Sequence, residues 1–395
     1  MEAMAQVTVQ QIWQQGYAAF DRRHQLPGTV RKAAWALMVC HTARLGGHIQ
    51  ACPAGHVERV WYNSCRHRLC PQCRWLQVER WLVRQKARLL ACDHYHVILT
   101  LPDELRGLWL VNGTVMPQLL FATVWETLDE LLRDEQYLGA RVGIIAALHT
   151  WSQTLVFHPH LHCLVTGAGL TDEGQWVAVQ NGFLLPVRVV MAVFRGKLLA
   201  ALRQGVAQSQ LMLPEGRSRQ QLENLLNKLG RAKWNVHIRE RYRHGEGVLT
   251  YLARYLRGGP LSNTRLLSCA NGEVQFWYRL NGEGAGERRR GVMTWPMTPF
   301  SGRYLRHVPA PGSRMVRAYG LYAPPARQAL ARCRAQVGQA PVEVPVVLDW
   351  QTAWRDRGGE HPERCPQCGH RLVCIGVILP SRIPPPREAL VEAVA

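Results

Sequence analysis

His160 and His162, set one residue apart in the stretch Phe157-His158-Pro159-His160-Leu161-His162-Cys163-Leu164-Val165, are the side chains best suited to hold a catalytic metal ion. A strand turns successive side chains to opposite faces, so both imidazoles project one way while Leu161, Cys163 and Val165 project the other. Imidazole is the commonest protein metal ligand, and a strand fixes two rings at one spacing without ordering a loop. Two imidazoles leave much of a coordination sphere open, so a third protein ligand is expected. Gln153, just before the strand, and His158, on the same face, are ranked first; His96 and His149 lie on neighbouring strands. Imidazoles bind zinc well, but an ion that polarises phosphate must exchange ligands readily, which points to Mg²⁺ or Mn²⁺ here.

Downstream, 248–257 carries apolar and aromatic residues at helical spacing and is stopped by Gly258-Gly259-Pro260. Tyr251 and Tyr255 are four apart on this helix, which puts both phenols on one face with about 5–6 Å between their Cβ atoms. Arg254 and Arg257 flank them, an unusual setting for core tyrosines and a suitable one for phosphate. A phenol with a pKa of about 10 is a poor nucleophile at neutral pH unless its target is activated. A divalent ion on a scissile phosphate would supply that activation, and attack by either tyrosine would leave a 5′-phosphotyrosine and a free 3′-hydroxyl. One phosphodiester is exchanged for another of similar energy, so the step needs no ATP and can run backwards. With two nucleophiles, one can hold a DNA end while the other cuts a second phosphodiester.

The two elements together resemble the HUH nucleases. The paired tyrosines, the segment Thr100-Leu101-Pro102 and the stretch from Arg303 to Leu321 are more specifically similar to the two-tyrosine rolling-circle transposases of the IS ninety-one family, a resemblance that runs from the cysteine-rich front to about Tyr322. It implies a ferredoxin- or RRM-like HUH sheet, rolling-circle transposition of an insertion sequence, and single-stranded DNA at the element ends and target DNA as partners. The front, including Tyr62-Asn63-Ser64-Cys65-Arg66, resembles that family's zinc-binding domain. The chain departs from the pattern at Gly55, where a second cysteine after Cys52 is expected, and His56 is the natural substitute.

Cys70-Pro71-Gln72-Cys73 has zinc-knuckle spacing, and Cys52 with His56 can complete a tetrahedral set from the other end of the segment. Cys40, His48, Cys65 and His67 leave ligands for a second ion or another pairing. Arg66 and Arg68, among the interleaved arginines, suit docking on a phosphate backbone. A further zinc site is expected in the tail from Cys365 and Cys368 with one or two of His361, His370, Cys374 or Cys333. The clustering of twelve cysteines argues for Zn²⁺ rather than disulfides.

The remaining sequence must position these groups. Strands are expected at 92–102, 142–151, 154–165, 174–179 and 234–239, and helices at 76–90, 116–132, 189–208 and 217–229. The two strands at 142–165 read as an antiparallel hairpin, which makes the histidine strand central or next to central, with Pro159 near its start or at an edge. Without a βαβ rhythm the order implies an α+β fold, an antiparallel sheet with helices on one side, preceded by a small zinc-binding domain. The expected division is 1–90 for zinc and DNA recognition, 91–322 for the nuclease and 323–395 for a Pro-rich tail.

Composition agrees. The 48 Lys and Arg against 28 Asp and Glu leave a net charge of +20, and such a field favours a polyanion because phosphate contacts release counterions. Hydrophobic residues make up 47% of 395 positions, enough for a sizeable core. No apolar run approaches the about 18 residues of a membrane span, and the N-terminus lacks a signal-peptide pattern, so a bacterial cytoplasmic, nucleoid-associated protein is expected. A replication initiator or relaxase would share the histidines and tyrosines but not the zinc-rich front; a DNA-binding zinc protein with a decayed site would not keep all four.

Overall fold

The computed structural model describes residues 7–242, 245–256, 259–280, 289–343, 345–356, 358 and 361–381. The chain starts with helices α1 (Val9–Arg23) and α2 (Gly28–Val39), strands β1 (Gly47–Ala51) and β2 (Glu58–Tyr62), and helix α3 (Trp75–Lys86). Thr8 caps α1 reciprocally with Gln11: each side chain accepts from the other's backbone N–H, which satisfies two otherwise unpaired donors of the first turn. Then come β3 (His94–Thr100), α4 (Arg106–Val111), α5 (Val115–Arg133), β4 (Arg141–Trp151), β5 (Phe157–Leu170), β6 (Trp176–Ala178), α6 (Val187–Ala207), α7 (Arg219–Arg231), β7 (Val236–Tyr242) and α8 (Glu246–Leu256). The last part runs β8 (Leu266–Ala270), β9 (Glu273–Arg279), β10 (Arg290–Pro296), α9 (Met297–Leu305), β11 (Val316–Gly320), α10 (Arg327–Gln336), α11 (Trp350–Arg355) and β12 (Val373–Ile378).

The largest sheet has the antiparallel order β11-β4-β5-β3-β7, with β6 added along the end of β5. The histidine strand is therefore central. Pro159 is its third residue, where a missing N–H costs least, and its carbonyl accepts from Leu101 N–H at 3.1 Å. On one face Val97, Leu99, Leu161, Cys163 and Val165 join α5, α6 and α7 in a core that includes Phe121, Phe194 and Leu226. Helices were expected on that side alone, but α8 covers part of the other. There Ile145, Ala147 and Leu164 would be left wet, and Val248, Leu249 and Leu252 of α8 cover them, each burial stabilising by roughly 1.5–3 kcal/mol.

Two smaller sheets flank this one. β8, β9 and β10 pair as an antiparallel meander packed with α1, α2 and α9 around Trp13, Phe20, Phe276, Phe300 and Tyr304. β12 returns from the far end of the chain to pair with β1, which pairs with β2. The first assembly crosses the sequence boundary expected at 90 and the second crosses those at 90 and 322, because the front of the chain is too small to close a core without these later strands and helices. Among the described residues no helix is long and apolar enough to cross a membrane.

Candidate active site and metal centres

Strand register brings three histidines together on the α8-covered face. His149 of β4 lies directly opposite His160 of β5, and His162 lies opposite Ala147. Directly paired residues share a face, so the three rings converge, with ligand atoms of His149, His160 and His162 within 4.8 Å of one another. The His149 and His162 ring centroids are 4.1 Å apart, and those of His160 and His162 are 4.7 Å apart.

The neighbouring hydrogen bonds set the ring nitrogens. His160 Nδ1 donates to the carbonyl of His158 at 2.6 Å, which leaves Nε2 as a lone pair. His162 Nδ1 is 2.7 Å from Nε2 of His96 on β3, and when Nδ1 is the donor in that bond His162 Nε2 carries a lone pair. Burial lowers all four pKa values: His160 and His96 to about 4, His149 and His162 well below the ordinary range. The rings are neutral at pH 7, the form that ligates metal. Three neutral imidazoles supply three of the donors a divalent ion takes and leave the rest of its coordination sphere to other oxygens.

The residues ranked first as third ligand lie elsewhere. Gln153 is in the β4–β5 turn, where its side-chain oxygen accepts from Arg279 N–H at 3.2 Å and its carbonyl from Arg265 Nη2 at 2.5 Å. Those contacts hold it to the end of β9 and to the turn before β8. His158 shares the strand face, but its Nδ1 is 3.5 Å from Asp103 Oδ1, and it is not in the converging group. The strand at 142–151 places His149 next to the histidine strand, but the register shifts between His149 and Trp151, so counting back from the Trp151–Phe157 pair would set it opposite Pro159 rather than His160.

Helix α8 packs on β4 and β5 beside this centre through Val248, Leu249 and Leu252. Tyr251, Arg254 and Tyr255 are on its backbone, their side chains lying outside the described set, and Arg257 lies outside the described residues. Glycines with left-handed backbone stand at either end. Gly245 has φ +66, and a Cβ there would meet the His94 ring at 2.8 Å; Gly259 has φ +81, and a Cβ would meet Leu69 O and Tyr304 Oη at 2.7 Å. Close backbone approach thus seats the start of the helix on the sheet, and Gly259 on α9. His94 itself bonds Tyr322 Oη at 2.7 Å beneath the helix start.

Seven of the twelve cysteines fall into two groups. Cys40, Cys65, Cys70 and Cys73 cluster, with Cys40–Cys70 and Cys65–Cys73 sulfurs 3.5 and 3.6 Å apart. A tetrahedral ion with Zn–S bonds of about 2.3 Å has ligand–ligand edges of about 3.8 Å, so the cluster is zinc-sized. Hydrogen bonds from Cys40 and Cys65 hold Cys70 and Cys73 below the ordinary thiol range. Cys52 and His56, expected to join Cys70 and Cys73, gather instead with Cys365 and Cys368. His48 points from β1 opposite Trp61 and joins neither group, and the His67 ring accepts from Leu69 N–H at 3.3 Å. Arg66 is exposed with φ +52, while Arg68 donates to Ser313 O at 3.0 Å.

Comparison with known sequences decides the family. Residues 12–101 match a family described as "Transposase zinc-binding domain" of the IS91 type, and residues 143–329 match one described as "Putative transposase". The chain is 35% identical over 360 residues to "Putative transposase y4qJ" of Sinorhizobium fredii, covering 89% of this chain and 90% of that one. The chain belongs to the IS91-type transposase family. The transposase is also 30% identical over 294 residues to the transposase for insertion sequence element IS801 of Pseudomonas savastanoi pv. phaseolicola, covering 73% of this chain and 68% of that one. Among solved structures, the conjugative relaxase TrwC in complex with OriT DNA aligns with 41% of this chain and 71% of its own at 15% identity, with a TM-score of 0.23. The zinc-binding match spans the Cys40 group and includes Cys52 and His56, but ends far before Cys365.

Proposed function

We propose that this transposase nicks and rejoins single-stranded DNA at one metal centre, using Tyr251 and Tyr255 as nucleophiles. The observation that carries this is the convergence of His149, His160 and His162 on the sheet face packed by the tyrosine helix. His149, His160 and His162 would hold the ion, Mg²⁺ or Mn²⁺, and the all-nitrogen donor set favours Mn²⁺ of the two. Bound there, the ion would polarise the scissile phosphate and offset charge as it develops. The phenol oxygen of one tyrosine forms the new bond to phosphorus, the bond to the 3′ oxygen breaks, and that oxygen takes a proton while the phenol gives one up. The products are a 5′-phosphotyrosine and a 3′-hydroxyl. The reverse attack restores a phosphodiester, so strand transfer needs no further energy source. Arg254 and Arg257, close in sequence to both tyrosines, would neutralise phosphate there, and Arg66 would add a cation from the zinc-binding domain. Single-stranded element ends and target DNA are the substrates, met in the cytoplasm, and rolling-circle transposition of an insertion sequence is the process served.

Labelled single-stranded oligonucleotides carrying element ends, incubated with protein and Mn²⁺ and run on a denaturing protein gel, test this reading. A covalent adduct is expected from wild type and from each single Tyr→Phe variant, and none from Tyr251→Phe/Tyr255→Phe. An adduct of undiminished yield from the double variant refutes the tyrosine assignment.

A further inference from the structure

Cys52 and His56 come from the front of the chain, and Cys365 and Cys368 from its far end, yet their ligand atoms all lie within 4.8 Å of one another. Cys52 Sγ stands 3.7 Å from His56 Nδ1 and 3.5 Å from Cys368 Sγ, separations that match the edges of a tetrahedron around zinc. They are far from the about 2.05 Å of a disulfide, and all three cysteines are free. The backbone is shaped for ligation on both sides. Gly55 N–H donates to Cys52 O at 2.9 Å with Gly55 at φ +77, and Gly369 N–H donates to Cys365 O at 2.9 Å with Gly369 at φ +73. Each cysteine carbonyl thus closes a tight turn that returns the next ligand toward the first. In the front turn the left-handed residue takes the place where a second cysteine was expected, and His56, one position later, reaches the same space.

We propose that Cys52, His56, Cys365 and Cys368 bind one structural Zn²⁺ that staples the C-terminal segment to the zinc-binding domain. Three thiolates and a neutral imidazole around a divalent cation leave one excess negative charge. His370, with Nδ1 3.2 Å from Cys368 Sγ, is placed to donate an N–H to that sulfur and offset the charge. The staple adjoins contacts that a single ion would hold in register: β12 beside β1, and the α11 residues Trp350 and Trp354 against Trp61 and Trp75, with ring centroids 6.1–6.4 Å apart. The segment between is docked as well, for Arg80 Nε donates to Leu348 O at 2.7 Å and Arg334 Nη1 to Leu89 O at 3.1 Å. The C-terminal cysteines therefore belong to the same metal unit as the front of the chain. This site is separate from the histidine centre and stands or falls independently of the nuclease reading.

Zinc content per chain, measured on the purified full-length protein, is the test. Cys52→Ser, Cys365→Ser and the double variant Cys52→Ser/Cys365→Ser are each expected to lose the same single zinc relative to wild type, while Cys374→Ser loses none. A double variant that loses two ions would show separate front and tail sites, and one that loses none would show no ion there; either overturns the proposal. Wild-type protein supplies a readout that needs no variant. In the zinc-loaded chain, iodoacetamide should modify the exposed Cys374 and spare Cys365 and Cys368, and a chelator should expose Cys52, Cys365 and Cys368 together. Labelling of Cys365 and Cys368 at the rate of Cys374 before chelation overturns the assignment.

Discussion

The Cys40 group and the histidine centre are both clusters of metal-binding side chains, and they are built in opposite ways. The cysteine group has four ligands on short turns, closing a tetrahedron with no vacant corner. Three histidines on two adjacent strands of a stiff sheet make the other, on the face that a helix packs, and supply one donor fewer. A closed thiolate shell suits an ion that holds structure, whereas an open imidazole shell suits one that must take and release phosphate oxygens. The same contrast appears in the support around each. Main-chain turns shape the cysteine group, whereas the carbonyl of His158 sets the tautomer of His160 and His96 bonds the ring of His162.

The comparison can be broken most severely at the closed group. Cys70→Ser should remove an ion whose binding contributes on the order of 10–16 kcal/mol to folding in small zinc modules. Loss of one zinc with collapse of the core around Trp13 and Tyr304, seen as loss of the near-ultraviolet circular dichroism signal, is the expected result. Retained zinc and native signal would mean that this group is not a structural site.

A milder effect is expected at the support of the open group. His96→Ala should weaken Mn²⁺ binding by about 10–100-fold with zinc content intact, since it removes the partner that orients His162. His96→Gln, which can still reach Nδ1, should recover part of the loss. Equal Mn²⁺ affinity in His96→Ala and wild type would show that the contact is packing only.

Gly245→Ala probes the helix apart from either ion. A Cβ at φ +66, pressed on the His94 ring, should cost about 1–2 kcal/mol and lower adduct yield with Mn²⁺ affinity unchanged. Thermal melting and metal titration on the same sample check both halves.

Acid gives the most graded effect. Burial lowers the folded-state pKa of His160 and His96 to about 4, against about 6.5 unfolded, so between these values the unfolded chain binds more protons. Stability is complete above pH 6.5 and declines as pH falls toward 4, and Mn²⁺ affinity should begin to fall only below the ordinary histidine range. A fall in affinity centred at or above pH 6.5 would contradict buried neutral ligands.

Much of this arrangement was legible in the residues. Alternation along 157–165 gave the face of His160 and His162, and the apolar positions of 248–252 gave the helix. The partition of ligands was less accessible. His149 depends on cross-strand register, which shifts between it and Trp151, and Gln153 looked available only until the turn at 152–156 placed it at the end of β9. Cys52 and Cys368 are 316 positions apart, a separation at which knuckle spacing carries no information about pairing. The packing of α8 on the histidine face was hidden for a similar reason, since Ile145 and Leu164 sit on a face that the histidines make look polar.

The most direct test of the central claim is adduct formation by His149→Ala on single-stranded oligonucleotide across a Mn²⁺ titration, with zinc content measured in parallel. Loss of a direct ligand should exceed the about 10–100-fold cost of losing a supporting partner, so the account predicts adduct reduced by more than about 100-fold with zinc unchanged. Adduct formed at wild-type yield and the same Mn²⁺ midpoint would contradict a three-histidine centre.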